Sequence, residues 1–232
     1  MKIRARFTKV GRVRWTSHRD VARMWERALR RGRIPVAYTA GFTPRPQLSF
    51  GLALPTGCES TAEYLDIALD DALEPAELAR GVGSMLPEGV DVVAASVLEP
   101  GTPSLQEDVS SCLWEILVPE VAPEDLVEAI ERVLDADSLP IQRERKGRDV
   151  VDDLRPSVLA LTCAGPDAAG ARLLAELGTR PRGVRPSELA QALGVELGIA
   201  RRTCQWIERD GSRWEPLMVE PAGTTVTWER AS

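Results

Sequence analysis

Between Val21 and Leu29 the apolar positions Val21, Met24, Trp25, Ala28 and Leu29 recur every three or four residues. That is the period of a helix with one face in a core. Both ends of the predicted helix are marked. Ser17 is a good N-cap, and Asp20 stands at the third helical position, where a carboxylate reaches back to the cap. Gly32 suits a left-handed C-terminal position, and Pro35 follows shortly after. Arg19, Arg23, Arg27 and Arg30 fall on one row away from the apolar stripe. The helix therefore has a dry face and an arginine face.

The flanking segments change period. Ile3, Ala5 and Phe7 alternate with Lys2, Arg4, Arg6 and Thr8, and after the turn Lys9-Val10-Gly11, Val13 and Trp15 alternate with Arg12 and Arg14. Both read as extended chain with a basic outer face. Val36 to Tyr38 reads as a short extended piece. The loop Ala40-Gly41-Phe42-Thr43-Pro44-Arg45-Pro46-Gln47 is stiffened by two prolines and displays Phe42 and Arg45. In the strand that follows, bulky Leu48, Phe50, Leu52 and Leu54 alternate with bare Ser49, Gly51 and Ala53. Tyr64 to Leu69 reads as a strand, Leu73 to Leu86 as a helix and Val90 to Leu98 as a strand.

The order strand, helix, strand, strand, helix, strand is the ferredoxin-like pattern. It recurs less regularly from Leu113: a strand to Val118, an acidic helix Pro123 to Ala136, and strands Pro140 to Lys146 and Ser157 to Cys163 around a polar turn, Lys146-Gly147-Arg148-Asp149. Then come a strand Arg172 to Leu177, a short helix Pro186 to Leu193, and a hairpin of Thr203 to Glu208 with Trp214 to Val219 across Asp210-Gly211. The expected fold is α+β, two tandem ferredoxin-like βαββαβ halves with antiparallel sheets. The halves are residues 1–98, basic-faced, and 111–220, acidic, with a linker at 99–110 and a loosely held tail at 221–232.

Charge sharpens this picture. The chain has 29 lysines and arginines and 35 acids; its first 55 residues hold thirteen of the former and only two of the latter, Asp20 and Glu26. A basic segment on an acidic remainder suggests a surface for an anionic partner. Docking of that segment on the chain's own acidic half is the alternative that composition leaves open. Six of the eleven aromatics also lie in it: Phe7, Trp15, Trp25, Tyr38, Phe42 and Phe50.

Other chemistry is sparse. Cys58, Cys112, Cys163 and Cys204 are scattered and there is one histidine, His18, which argues against a zinc or iron–sulfur site in this chain. No apolar run is long enough for a membrane helix, and the expected location is the cytoplasm. The candidate set for nucleic acid or another anion is Arg12, Arg14, His18, Arg19, Arg23, Arg27, Arg30, Phe42 and Arg45, with no metal ligands. His18 is the only candidate catalytic group.

Several stretches resemble a known bacterial family, the radical SAM-linked proteins, whose function is unknown. They are Arg6-Phe7-Thr8-Lys9-Val10-Gly11, Ser17-His18-Arg19-Asp20, Arg27-Ala28-Leu29-Arg30-Arg31, Ile34-Pro35, Gly41-Phe42-Thr43-Pro44-Arg45-Pro46, Leu54-Pro55-Thr56-Gly57 and Ser60-Thr61-Ala62-Glu63-Tyr64, with a looser match at Val184-Arg185-Pro186-Ser187-Glu188-Leu189. The family pattern usually has a leucine where Arg19 stands. Its members are fused to, or encoded beside, B12-binding radical SAM proteins. The resemblance thus implies a partner carrying an iron–sulfur cluster, S-adenosylmethionine and cobalamin. This chain lacks the CxxxCxxC run that would hold such a cluster, and no cofactor of its own is expected. Three functions fit: a non-catalytic partner domain that binds RNA, a metal-independent ribonuclease using His18, or a protein-interaction module alone.

Overall fold

The structure is a computed structural model that describes residues 1–145 and 147–217. The expected loose tail at 221–232, the far end of the strand read to Val219, and Lys146 of the polar turn lie outside the described residues. The chain is mixed α+β, with five helices and antiparallel strand pairs among the described residues, and it divides into two units.

Among the described residues the first unit holds Met1–Val109 and 207–217. Its elements are β1 (Lys2–Lys9), α1 (His18–Arg31), β2 (Leu48–Phe50), β3 (Glu59–Ala68), α2 (Pro75–Gly83), β4 (Val92–Val97) and a four-residue α3 (Leu105–Asp108). β1 lies between β4 and β3, pairing Ala5 with Ala95 on one edge and with Leu65 on the other. β2 pairs with β3 across Leu48↔Ile67 and Phe50↔Leu65.

Alternation in β1 and β3 puts Ile3, Ala5, Phe7, Leu65 and Ile67 in one core with Val21, Trp25, Ala28 and Leu29 of α1 and Leu78 and Val82 of α2. Phe7 meets Trp25 edge-to-face, with ring centroids 5.1 Å apart, a favoured aromatic geometry. The core thus fixes which face of α1 is dry. The alternate β1 positions are not a free basic face. Arg4 is 2 % exposed and donates through Nε and Nη2 to both oxygens of Asp66, at 2.7 and 2.8 Å. Arg6 pairs with Glu215 at 2.7 Å.

The second unit covers Ser110–Trp206. It contains β5 (Val109–Pro119), α4 (Pro123–Asp135), β6 (Pro140–Arg145), β7 (Arg148–Asp153), β8 (Val158–Asp167), β9 (Gly170–Gly178), α5 (Pro186–Leu193) and the start of β10 (Ala200–Arg209). The strand order is β10-β5-β9-β8, and β6 and β7 form a separate hairpin. Trp114, Ile116 and Val118 of β5 and Leu173, Ala175 and Leu177 of β9 are buried, as are Leu126, Ile130 and Val133 of α4. The last residues of β10 belong to the first unit. There they pair with β11 (Ser212–Trp214) through Ile207↔Trp214, across Asp210 and Gly211, both at positive φ.

Four local expectations are corrected. Gly11–Trp15 is a 3-10 turn rather than extended chain; alternation over four residues does not separate the two. The Lys9 ammonium secures it, donating to the carbonyls of Arg14 and Thr16 at 3.3 and 2.9 Å. The 99–110 stretch is not a bare linker: α3 lies within it, and Leu105 is buried over Gly51, where a Cβ would stand 3.2 Å from Leu105 Cδ1. The Arg148–Asp153 stretch is a strand, and the expected turn does not include Arg148 and Asp149; its charges are tolerated because the β6–β7 hairpin is paired only with itself. Among the described residues the second unit runs to Trp206 rather than toward residue 220, since β11 and Glu215 lie in the first unit.

Candidate functional site

The helix α1 is capped as its sequence predicts. The Asp20 amide donates to Ser17 Oγ at 3.2 Å, and the Ser17 hydroxyl donates to Asp20 Oδ2 at 2.7 Å. That hydroxyl, together with the Arg23 guanidinium, holds the Asp20 carboxyl below the usual range. The buried stripe of Val21, Trp25, Ala28 and Leu29 turns the opposite row outward. Arg19, Arg23, Arg27 and Arg30 are all exposed. Steps of four, four and three residues place successive members about 4.5–6 Å apart along the axis. Arg23 reaches Asp20 at 3.5 Å, an exposed pair of the kind that contributes little. Arg19, Arg27 and Arg30 have no carboxylate partner among the described residues, nor do Arg12, Arg31, Arg33 and Arg45.

The basic segment thus divides in two. Arg4, Arg6 and Arg14 are neutralised by carboxylates from beyond residue 56: Asp66, Glu215 and Glu59. The helix row is not. Arg14 leaves the candidate set as a free cation, since Glu59 takes its guanidinium at 3.3 Å and the same group stacks 5.3 Å from the centre of the Trp15 ring. Arg12 is exposed on the 3-10 turn.

His18 is the first residue of α1 and sits edge-on to Phe50, with ring centroids 5.1 Å apart. It lines a cavity of about 10 Å³ together with Lys9, Phe50, Glu63 and Tyr64, room for roughly one water.

Phe42 sits on the tip of a closed hairpin, and Arg45 in its closing pair with Thr39. The Thr39 amide donates to the Arg45 carbonyl at 2.9 Å, the Arg45 amide to Thr39 Oγ1 at 3.0 Å, and Gln47 Nε2 to the Tyr38 carbonyl at 3.0 Å. Tyr38 and Pro46 form a bridge at its base. Phe42 at the tip is fully exposed (110 %). Its ring does not fold back onto the unit. The root of the hairpin is anchored beside the end of α1, since the Ile34 amide donates to the Leu29 carbonyl and the Ala37 amide to the Ala68 carbonyl.

Two exposed aromatics were missing from the candidate set. Trp15, 64 % exposed, stands two residues before the cap of α1, and Tyr38 is 49 % exposed. Both were visible as aromatics of the basic segment. Periodicity assigned Trp15 to the inner face of a strand, and only the 3-10 turn puts it outside.

Among the described residues no group of three or more His, Cys, Asp or Glu side chains is placed to hold a metal, and no helix is long and apolar enough to cross a membrane. None of the curated proteins is similar enough to the chain to match it. One family model does match, over residues 2–186, and the chain belongs to that family, described as an uncharacterized protein conserved in bacteria (DUF2344).

Proposed function

We propose that this protein is a non-catalytic partner of a radical SAM enzyme and binds RNA through the arginine face of α1. The partner rests on the sequence resemblance, and its iron–sulfur cluster, S-adenosylmethionine and cobalamin belong to that enzyme. A cytoplasmic location is part of the same proposal. So is the reading of each unit as a ferredoxin-like half, which draws support from the element order and from the matching strand orders β4-β1-β3 and β10-β5-β9-β8.

One observation carries the RNA reading. The row Arg19, Arg23, Arg27 and Arg30 stays exposed while neighbouring cations of the same segment are taken up by carboxylates. Solvated arginines on a rigid helix suit phosphate oxygens, which they meet in bidentate fashion.

The test is binding of the purified protein to bulk RNA across a salt series. A single strand releases about 0.7 counterion per phosphate contacted. Four arginines give a log–log slope near −2.8, and Arg23→Ala, Arg27→Ala, Arg30→Ala together reduce it by about 2. No RNA binding at low salt, or an unchanged slope in the triple variant, overturns the proposal and leaves a protein-interaction module. RNA cleavage lost in His18→Ala would establish the ribonuclease instead.

A further inference from the structure

Resting on that reading, we infer that the RNA is bound single-stranded, with an unpaired base stacked on Phe42 at the tip of the 39–45 hairpin. The argument starts from where aromatic surface is available. Four-stranded sheets that bind RNA stack bases on aromatics of the open sheet face. In this protein the β1 and β3 positions facing away from α1 are occupied otherwise: Arg4 is closed on Asp66, Arg6 on Glu215, and Tyr64 is 1 % exposed. Phe7 and Trp25 are in the core. Stacking surface lies instead at the two ends of α1, at Trp15 before its cap and at Tyr38 and Phe42 on the hairpin that follows.

Of these, Phe42 is the best platform. Trp15 already has the Arg14 guanidinium over its ring and lies against Gly57, where a Cβ would stand 3.0 Å from Trp15 Cζ3. Phe42 touches nothing that buries it. Its support is built to be stiff: three hydrogen bonds close the hairpin, Pro44 and Pro46 fix one arm, and Gly41 at φ +125° makes the bend. A ring held out in water on a rigid support loses little entropy when a flat partner covers it. Arg45, three residues on and exposed, supplies a cation for the phosphate beside that base. A base inside a duplex has both faces stacked already, so this site selects unpaired nucleotides.

Fluorescence anisotropy with three labelled RNAs tests this: a 12-nucleotide adenine strand, an abasic strand of equal length, and a 12-base-pair duplex. The intact protein should bind the adenine strand at least about fivefold tighter than the abasic one, the lower end of what one stacked base contributes. Phe42→Ala should abolish that preference and leave the salt slope unchanged, whereas Phe42→Tyr should retain it. Since Phe42 is fully exposed, neither change disturbs packing. Equal binding of adenine and abasic strands by the intact protein, preference for the duplex, or a preference that survives Phe42→Ala overturns the inference while the arginine face stands. Failure of all three RNAs to bind removes the arginine face and this inference together.

Discussion

At Gly32 the main chain leaving α1 passes so close to α2 that a Cβ would lie 2.5 Å from the carbonyl oxygen of Gly81. The sequence suggests a different reason for this glycine, a left-handed helix end. Gly32 has φ −71°, an ordinary helical value, and it is Arg33 that takes the left-handed conformation at φ 54°. The helix-stop signal was legible, but its cause was not, because the close approach involves a residue 49 positions away. Two opposite outcomes follow. Gly32→Ala forces two backbones apart and should destabilise the protein by about 1–3 kcal/mol, the usual range for overpacking. Arg33→Gly relieves a left-handed residue at the expense of a looser unfolded chain, and these offset to roughly zero. Urea unfolding of both variants checks the pair; equal losses would show that the terminus is strained by conformation rather than by contact.

Among the elements, α1 was the most legible from sequence and the β6–β7 hairpin the least. Fourteen residues of α1 carry a stripe, a cap and a stop, and each constrains the same helix. β7 has two valines among four charges, so alternation has almost nothing to register. What organises that region is polar. Asp152 pairs with both Arg143 and Arg182, and Arg182 reaches Glu188 at 2.8 Å. Asp153 accepts the amides of Leu139 at 2.7 Å and Arg155 at 2.9 Å. The hydrogen bond from Arg143, with that of Arg182, draws the Asp152 carboxyl below its usual range, and the Leu139 and Arg155 amides do the same for Asp153. The sign follows from linkage. An aspartate titrates near 3.9 in the unfolded chain. As the pH falls the unfolded state therefore takes up protons first, and the native state is left behind. The stabilisation is whole above about pH 5 and drains as the pH drops through 4 and below. The urea midpoint, followed from pH 6 to pH 3, should decline over that window, and Asp152→Asn together with Asp153→Asn should flatten the decline. A midpoint that rises on acidification, or a double variant with an undiminished slope, would remove these carboxylates from the account.

Across the whole molecule, the cations of residues 1–55 divide between arginines paired with carboxylates from beyond residue 56 and arginines that face solvent. Arg4 and Arg6 of β1 are used inside the fold, and the arginine row of α1 is left exposed. Strand and helix positions are equally arginine-rich in sequence, so only their partners separate them, and those partners are as distant as Glu215. The Arg6–Glu215 pair also ties the segment after β11 to the first strand, across 209 residues. Arg6 donates as well to the Thr61 carbonyl, at 3.2 Å, and both members of the ion pair are largely buried. Hydrogen bonds to charged groups contribute about 1.5–3 kcal/mol, more than an exposed pair such as Arg23–Asp20. A double-mutant cycle in urea with Arg6→Met, Glu215→Gln and both changes together should return a coupling of about 1–3 kcal/mol. The same cycle on Arg23 and Asp20 should return no more than about 0.5 kcal/mol. Strict additivity at Arg6 and Glu215 would mean that the segment after β11 is not held there, and the division between neutralised and solvent-facing cations would lose its longest link.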